Sequence, residues 1–434
     1  MSLDLSQLPS LPEGWQYKPL SELVDDRGIC YGVVQPGQHD INGIPLVRVN
    51  NLKDNQINIT EVMRISSEIE AKYNRSRLKG GEVLLSLVGT LGQVAVVPPE
   101  LEGWNTARAV GVIPIKKEYD NRWVALCLRS KYAQHLMQMW ANTTVQATLN
   151  LKDVTQLPIP IPPKEHAKYL ADKASLLDSK ILLNNQINET LESMAKAIFK
   201  EWFIDFGPVK AKAEGKKPFG MNDETAALFP DSFEESELGM VPKGWEIGSL
   251  SNFANNPRET FKGSQTDNFH YLGLEHLPQG SFAISSAGSS LDVVSNKFKF
   301  KKNQILFGKL RPYFKKVIPA PFEGVCSTDI LVIEGKKDFY NTFLLMFVSD
   351  DRFIEFNTQA SQGTKMPRTS WEIMNAFKMP IPPEDVLKVF NNIISPLISK
   401  IADSYEEQKL LNQTRELILP KLISGEINPK EIDL

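Results

Sequence analysis

The chain has 434 residues, 42% of them apolar, too many for one ordinary core, so two to four globular units are expected. Its formal net charge of −3 argues against coating nucleic acid by bulk positive charge. Cys30, Cys127 and Cys326 lie too far apart for a metal site or a disulfide framework and suit a reducing cytoplasm.

Met1 to Pro12 lacks the basic start and unbroken apolar run of a signal peptide, and no stretch approaches the roughly 20 apolar residues of a membrane span. A cytoplasmic chain without an anchor is expected. In chain order, Leu11-Pro12-Glu13-Gly14-Trp15 precedes a short apolar segment, Leu20 to Val24. Ile44 to Val49, Val83 to Val88, Val94 to Val97 and Val110 to Ile115 then read as strands separated by turn residues, and Arg122 to Met139 as a helix.

After Pro160-Ile161-Pro162-Pro163 the period becomes helical. Leu170, Ala174, Leu177, Ile181, Asn184, Asn188, Leu191, Ala195, Ile198 and Trp202 form a coiled-coil seam. From Lys164 to Phe203 this helix would span about 60 Å at roughly 1.5 Å per residue. Residues 207–240 are poor in aliphatics and read as a linker.

The plan then repeats. Val241-Pro242-Lys243-Gly244-Trp245 answers the first landmark, Leu250 to Phe253 the short apolar segment, and Pro380-Ile381-Pro382-Pro383 the prolines. Between them Phe269 to Leu274, Ile305 to Phe307 and Ile330 to Ile333 read as strands and Phe339 to Phe356 as a helix. Phe390, Ile394, Leu397, Ile401, Ser404, Gln408, Leu411, Arg415, Ile418 and Leu422 then repeat the seam 220 residues on. Pro396 should kink this second helix or mark its true start. Polar Asn184, Asn188, Ser404 and Gln408 either fix helix register or face solvent where the helices diverge.

The expected fold is α+β: two similar modules separated by two long antiparallel helices, with pseudo-two-fold internal symmetry. Its boundaries are 1–160 for the first module, 161–206 for the central helix, 207–240 for the linker, 241–378 for the second module and 379–434 for the C-terminal helix and tail.

The paired Pro-x-Gly-Trp openings resemble the specificity subunits of type I restriction-modification systems. So do Gly81-Glu82-Val83-Leu84-Leu85-Ser86-Leu87-Val88-Gly89-Thr90, the run Ile198 to Phe206, Phe229-Pro230-Asp231-Ser232-Phe233 and the ending Leu419 to Ile427. The resemblance covers nearly the whole chain. It implies that each module is a target-recognition domain reading half of a bipartite double-stranded DNA target, with the helices setting the gap. It also implies that the helical region holds two methylation subunits and, through them, restriction subunits. S-adenosylmethionine, ATP and Mg would then belong to those partners and no cofactor to this chain. The second module departs from the pattern, with Phe307-Gly308-Lys309-Leu310-Arg311-Pro312 where the first has Ser86 to Thr90.

No Walker loop and no dinucleotide fingerprint occurs. Asn256-Pro257 begins like the catalytic loop of adenine methyltransferases but continues with Arg258 and Glu259. Pro230-Asp231 is not completed into a nuclease cluster, and His39, His135, His166, His270 and His276 lack metal-ligand spacing. The chain is therefore expected to be non-catalytic. A scaffold that binds proteins instead of DNA stays open, and a fragment of a self-contained restriction-methylation enzyme is disfavoured by the lack of methylase motifs.

Base readout calls for Arg, Asn, Gln and Thr side chains, with Lys and Arg on phosphates. The candidates in the first module are Arg48, Asn50, Asn51, Lys53, Thr90, Arg108, Gln146 and Thr148, with the loop Asn142 to Asn150 foremost. In the second they are Arg258, Lys262, Lys309, Arg311, Tyr313, Lys315, Lys365, Arg368 and Thr369, with the loop Ser361 to Ser370. The basic run Lys297 to Lys316 either tracks a phosphate backbone or is the wet face of a strand. Phe199, Trp202, Phe203 and Phe206 are candidate contacts to methylation subunits, or they pack onto the second module or helix.

Overall fold

A computed structural model describes residues 8, 10–53, 55–141, 147–262, 268–292, 295–361 and 366–426. The chain divides into two compact units, Met1–Lys180 with Asn412–Leu434, and Ile181–Leu411. Each long helix contributes one portion to each unit, rather than standing apart from the modules as the sequence boundaries had it.

The first unit is built on an antiparallel sheet in the order Cys30–Tyr31, Val110–Ile113, Val83–Ser86, Val94–Val96. Alternate side chains of a strand face opposite ways. Val83, Leu85, Val94 and Ile113 therefore pack with the helices, while Leu84, Ala95, Val110 and Val112 pack with Val47, Leu52 and Leu78. Covering both faces explains why these strands read as apolar runs without alternation. Ile44–Val47 lies parallel to Asn105–Thr106 and antiparallel to Met63–Ile65 in a second sheet. Gln16–Pro19 pairs with Pro158–Ile161.

The second unit repeats the plan in the order Ala254–Asn255, Ile330–Gly335, Ile305–Gly308, Val317–Pro319. Here Ile305, Phe307, Val317, Leu331 and Ile333 face the helices, and Leu306, Ile318, Ile330 and Val332 face the second sheet. In that sheet His270–Leu272 runs parallel to Gly324–Cys326. Glu246–Gly248 pairs with Met379–Ile381.

The helices expected at 122–139 and 339–356 are each two. Asn121–Arg129 and Lys131–Trp140 break at Ser130, whose hydroxyl accepts from Ala133 N at 3.1 Å. Asn341–Ser349 and Asp351–Ala360 break at Asp350, which accepts from Arg352 N at 3.2 Å. A short polar side chain that can satisfy the first amides of a new helix lets the chain turn without a proline or glycine.

The long helices are Lys164–Phe203 and Glu384–Ser424. The second begins well before Pro396 and continues through it. In the second unit they run antiparallel, because Asn188 Nδ2 donates to Ser404 Oγ at 2.8 Å while Gln408 Nε2 donates to Asn185 Oδ1 at 2.6 Å. Asn184, Asn188, Ser404 and Gln408 are all buried, so these seam positions do not face solvent. In the first unit Leu170, Ala171 and Ala174 pack with Leu422, and Asp178 accepts from both Arg129 and Arg415.

Residues 207–240 are not a bare linker. Helices Gly207–Ala213 and Asp223–Ala227 lead into a hairpin, Phe233–Ser236 with Gly239–Pro242. Of the apolar residues in this stretch, Val209, Met221, Ala226 and Phe229 enter the core of the second unit, whereas Phe219, Leu238 and Met240 are exposed. Phe199, Trp202 and Phe203 are buried in that same core. Phe203 lies 5.0 Å from Phe343 and 4.9 Å from Phe390, Trp202 lies 5.3 Å from Phe229, and Phe206 lies 5.8 Å from Trp245. The four aromatics therefore hold the second unit together instead of forming an outward partner surface.

No helix among the described residues is long and apolar enough to cross a membrane.

Candidate nucleic-acid interface

In both units the loop that leaves the central strand is stitched to the loop that enters a short helix, and the stitches are equivalent bond for bond. In the first unit Leu87 N donates to Ala109 O at 2.8 Å, Leu149 N to Leu87 O at 2.9 Å and Gly89 N to Ala147 O at 3.4 Å. In the second, Lys309 N donates to Asp329 O at 2.8 Å, Thr369 N to Lys309 O at 3.1 Å and Arg311 N to Pro367 O at 2.8 Å. Val88 bridges Thr148 as Leu310 bridges Arg368. Each unit thus presents, at one end of its main sheet, a rim whose backbone is shared and whose side chains differ.

On the first rim, Ser86 Oγ donates to Thr90 O at 2.5 Å and accepts from Gln93 N at 2.8 Å, which fixes the loop and leaves Thr90 exposed. Gly89 and Gly92 take the left-handed conformations this turn needs. Arg108 is exposed on the adjoining loop, where its N–H donates to Val33 O at 2.8 Å. The preceding Ala107 N donates to Val47 O at 2.8 Å, which brings the loop starting at Arg48 beside it.

Arg48 is half-buried and Asn50 exposed. Asn51 is only 3% exposed; it accepts from Arg48 N at 2.9 Å and donates to Asn58 O and Glu61 O at 2.9 and 3.1 Å. Its polar atoms hold the loop, which corrects its place among base readers. Lys53 is exposed on the next hairpin, whose turn at Asn55 is held by Arg129 at 3.3 Å. Thr148 is half-buried on the rim, and Gln146 lies outside the described residues. Sequence reasoning passed over Tyr31, whose hydroxyl accepts from Leu151 N at 3.3 Å at the same edge.

The second rim gathers Arg258, Lys309, Arg311 and Arg368 from three distant stretches of chain. Lys309 Nζ donates to Thr328 O at 2.5 Å. Burial, with Arg368 beside it, holds its ammonium below the ordinary lysine range against the opposing pull of Asp329. Arg368 is paired with Asp329. Arg258 donates to Asn256 Oδ1 at 2.9 Å and lies 4.0 Å from Glu372. Arg311 and Tyr313 are exposed, and Lys262 is exposed after Thr260–Phe261. Thr369 is 2% exposed and bonded to Asn357 Oδ1 at 2.5 Å, so it too supports the loop instead of facing outward. Lys365 lies outside the described residues. Asp329, absent from the sequence candidates, carries no signal of its own beyond standing just before a strand.

The basic run does not make a continuous cationic track. Lys297 is buried, with its ammonium 5.5 Å from the Tyr271 ring centroid. Lys299 pairs with Glu259, Lys302 with Asp403 and Lys315 with Asp351, at 2.8, 3.5 and 2.6 Å. Lys316 donates to Leu274 O. The wet-face reading suits Lys299 and Lys301 but not Lys297, and the run reaches the rim only at Lys309 and Arg311.

All three cysteines are buried; burial raises Cys30, drives Cys127 well up and pushes Cys326 up to about 12.

A family model described as "Type I restriction modification DNA specificity domain" matches residues 12–193 and again 242–413. The chain is 24% identical to the MjaIX type I restriction enzyme specificity subunit of Methanocaldococcus jannaschii, over 98% of this chain and 96% of that one. It is 25% identical to the HindI specificity subunit of Haemophilus influenzae over 69% of this chain and 74% of that one. The crystal structure of a type I restriction-modification S subunit from M. genitalium has the same fold, with a TM-score of 0.57 at 13% identity over 97% of this chain and 98% of that chain.

Proposed function

Because this chain belongs to the type I restriction-modification DNA specificity domain family, and so is a DNA-recognition subunit, we propose that each unit reads one half of a bipartite duplex target at its rim. The observation that carries this reading is the repeated stitch: one backbone frame at the same sheet end in both units, dressed with different hydrogen-bonding side chains. A constant frame with variable tips suits base-edge readout, in which side-chain identity selects sequence. The long helices set the gap between half-sites.

In this reading the chain has no catalytic group of its own and works in the cytoplasm. It holds two methylation subunits and, through them, restriction subunits, and S-adenosylmethionine, ATP and Mg belong to those partners. The surface best suited to the methylation subunits is an exposed stripe on the part of the first long helix that lies in the second unit, Leu183, Ile187 and Met194. Steps of four and seven keep these residues on one face, about a quarter turn from the seam, and an apolar face of this kind favours a partner helix.

The test is to produce the chain with its methylation subunit and map methylated adenines across the host genome. A two-part motif with a fixed gap is expected. A stable complex that leaves the genome unmethylated would favour the DNA-free scaffold.

A further inference from the structure

The two rims carry different residues at one position whose backbone is unusual in both. Gly89 and Arg311 make the same backbone bond in the two stitches, and both take positive φ, 80° and 51°. Glycine adopts that conformation without strain, whereas a side-chain-bearing residue does so at a cost. The second unit therefore holds an arginine where the frame itself would favour glycine.

The turn around it is rigid. Pro312 is buried, Phe314 N donates to Arg311 O at 2.9 Å, and Lys315 N donates to Pro312 O at 2.8 Å. Lys315 also takes positive φ and is tied to Asp351 at 2.6 Å. The Arg311 guanidinium lies 5.8 Å from the Phe314 ring centroid. Among the described residues Arg258 and Arg368 have carboxylate partners and Arg311 has none. Strain kept at an exposed tip, with the backbone clamped on both sides, marks a residue whose side chain has work at that place.

We propose that Arg311 is the guanine-reading residue of the second unit, donating its two-pronged guanidinium to O6 and N7 of a guanine in the major groove. This rests on the recognition reading above and adds to it a base identity and an asymmetry. A flexible lysine would serve for a phosphate, but a planar fork on a fixed turn matches the two acceptors that guanine alone presents. The first unit, with Gly89 at the equivalent place, has no such contact there.

The test compares the wild-type complex with R311G and R311K, each with its methylation subunit, on duplexes carrying each base pair at every position of the methylated motif. R311G removes the strained residue, so it should fold at least as well as wild type, and R311K keeps the charge but not the fork. The expected result is a G·C pair in one half-site whose preference falls roughly tenfold or more in both variants, with the other half-site unchanged. Two results would overturn the proposal. One is a second-unit half-site without a G·C pair. The other is an unaltered preference, including uniform weakening on all sequences with a salt slope smaller by about one, which marks a phosphate contact. Absence of any two-part motif in wild type would instead sink the recognition reading itself.

Discussion

Replacing Phe203 by alanine removes a ring that meets Phe343 and Phe390 edge-on at 5.0 and 4.9 Å and lies 6.2 Å from Trp245. Truncating a buried phenylalanine costs about 3–5 kcal/mol, since the lost transfer energy is joined by a cavity that close-packed neighbours cannot fill. A domain commonly has about 5–15 kcal/mol in all. The second unit of F203A should thus open roughly two to three and a half powers of ten more often than wild type. Hydrogen exchange read by mass spectrometry on the free chain measures this peptide by peptide. Faster exchange is expected in Asn341–Ser349 and around Phe390, with no partner present. The paired control, I187S with M194S on the exposed stripe, should leave exchange in the free chain unchanged yet weaken capture of the methylation subunit. If F203A exchanged like wild type and lost only its hold on the methylation subunit, the packing argument would be refuted and the aromatic cluster would be the docking surface after all.

In the buried ladder, N188A removes the bond to Ser404 Oγ, whose hydroxyl still donates to Ile401 O at 2.7 Å, and should cost about 0.5–1.5 kcal/mol of local stability, whereas N188L with S404A should be nearly neutral, because an apolar pair leaves no side-chain polar group unsatisfied. Exchange protection over 185–195 would distinguish them; equal losses in both would remove the ladder's significance. The Cys326 thiol, at about 12 in the folded chain against an ordinary 9.0, ionises first in the unfolded state, so its contribution is complete below pH 9 and fades as pH rises from 9 to 12. Denaturant midpoints of wild type and C326A across that range should converge as pH rises, and parallel curves would contradict it. Since Lys302 is paired with Asp403, K302A should leave both DNA affinity and its salt slope nearly unaltered; a slope smaller by about one would return this lysine to the phosphate track.

The duplicated plan was legible because its landmarks are chemically unusual: Pro-x-Gly-Trp and Ile-Pro-Pro tolerate few conformations and recur in order. The seam was legible because steps of three and four persist for ten positions. Ser130 and Asp350 escaped notice because the apolar period continues across each break, and capping is a one-residue signal. The supposed linker misled through composition; Val209, Met221 and Phe229 are sparse along the chain, yet each is buried. At the rims, residue type indicated hydrogen-bonding capacity without showing how it was used. Asn51 and Thr369 satisfy their own loops. Lys299, Lys302 and Lys315 meet Glu259, Asp403 and Asp351, acids that no reading of the run alone would supply.

The main sheets, covered on both faces, leave almost no strand position where a new side chain could be accepted without disturbing a core. The rims are the opposite: the side chains of Thr90, Arg108, Arg258 and Arg311 are exposed there and belong to none of the hydrophobic cores. Heritable change is thereby channelled. A lineage under pressure to alter what it binds can vary these tips one at a time, each trial nearly neutral for folding, while the part that makes the molecule stable stays out of the experiment.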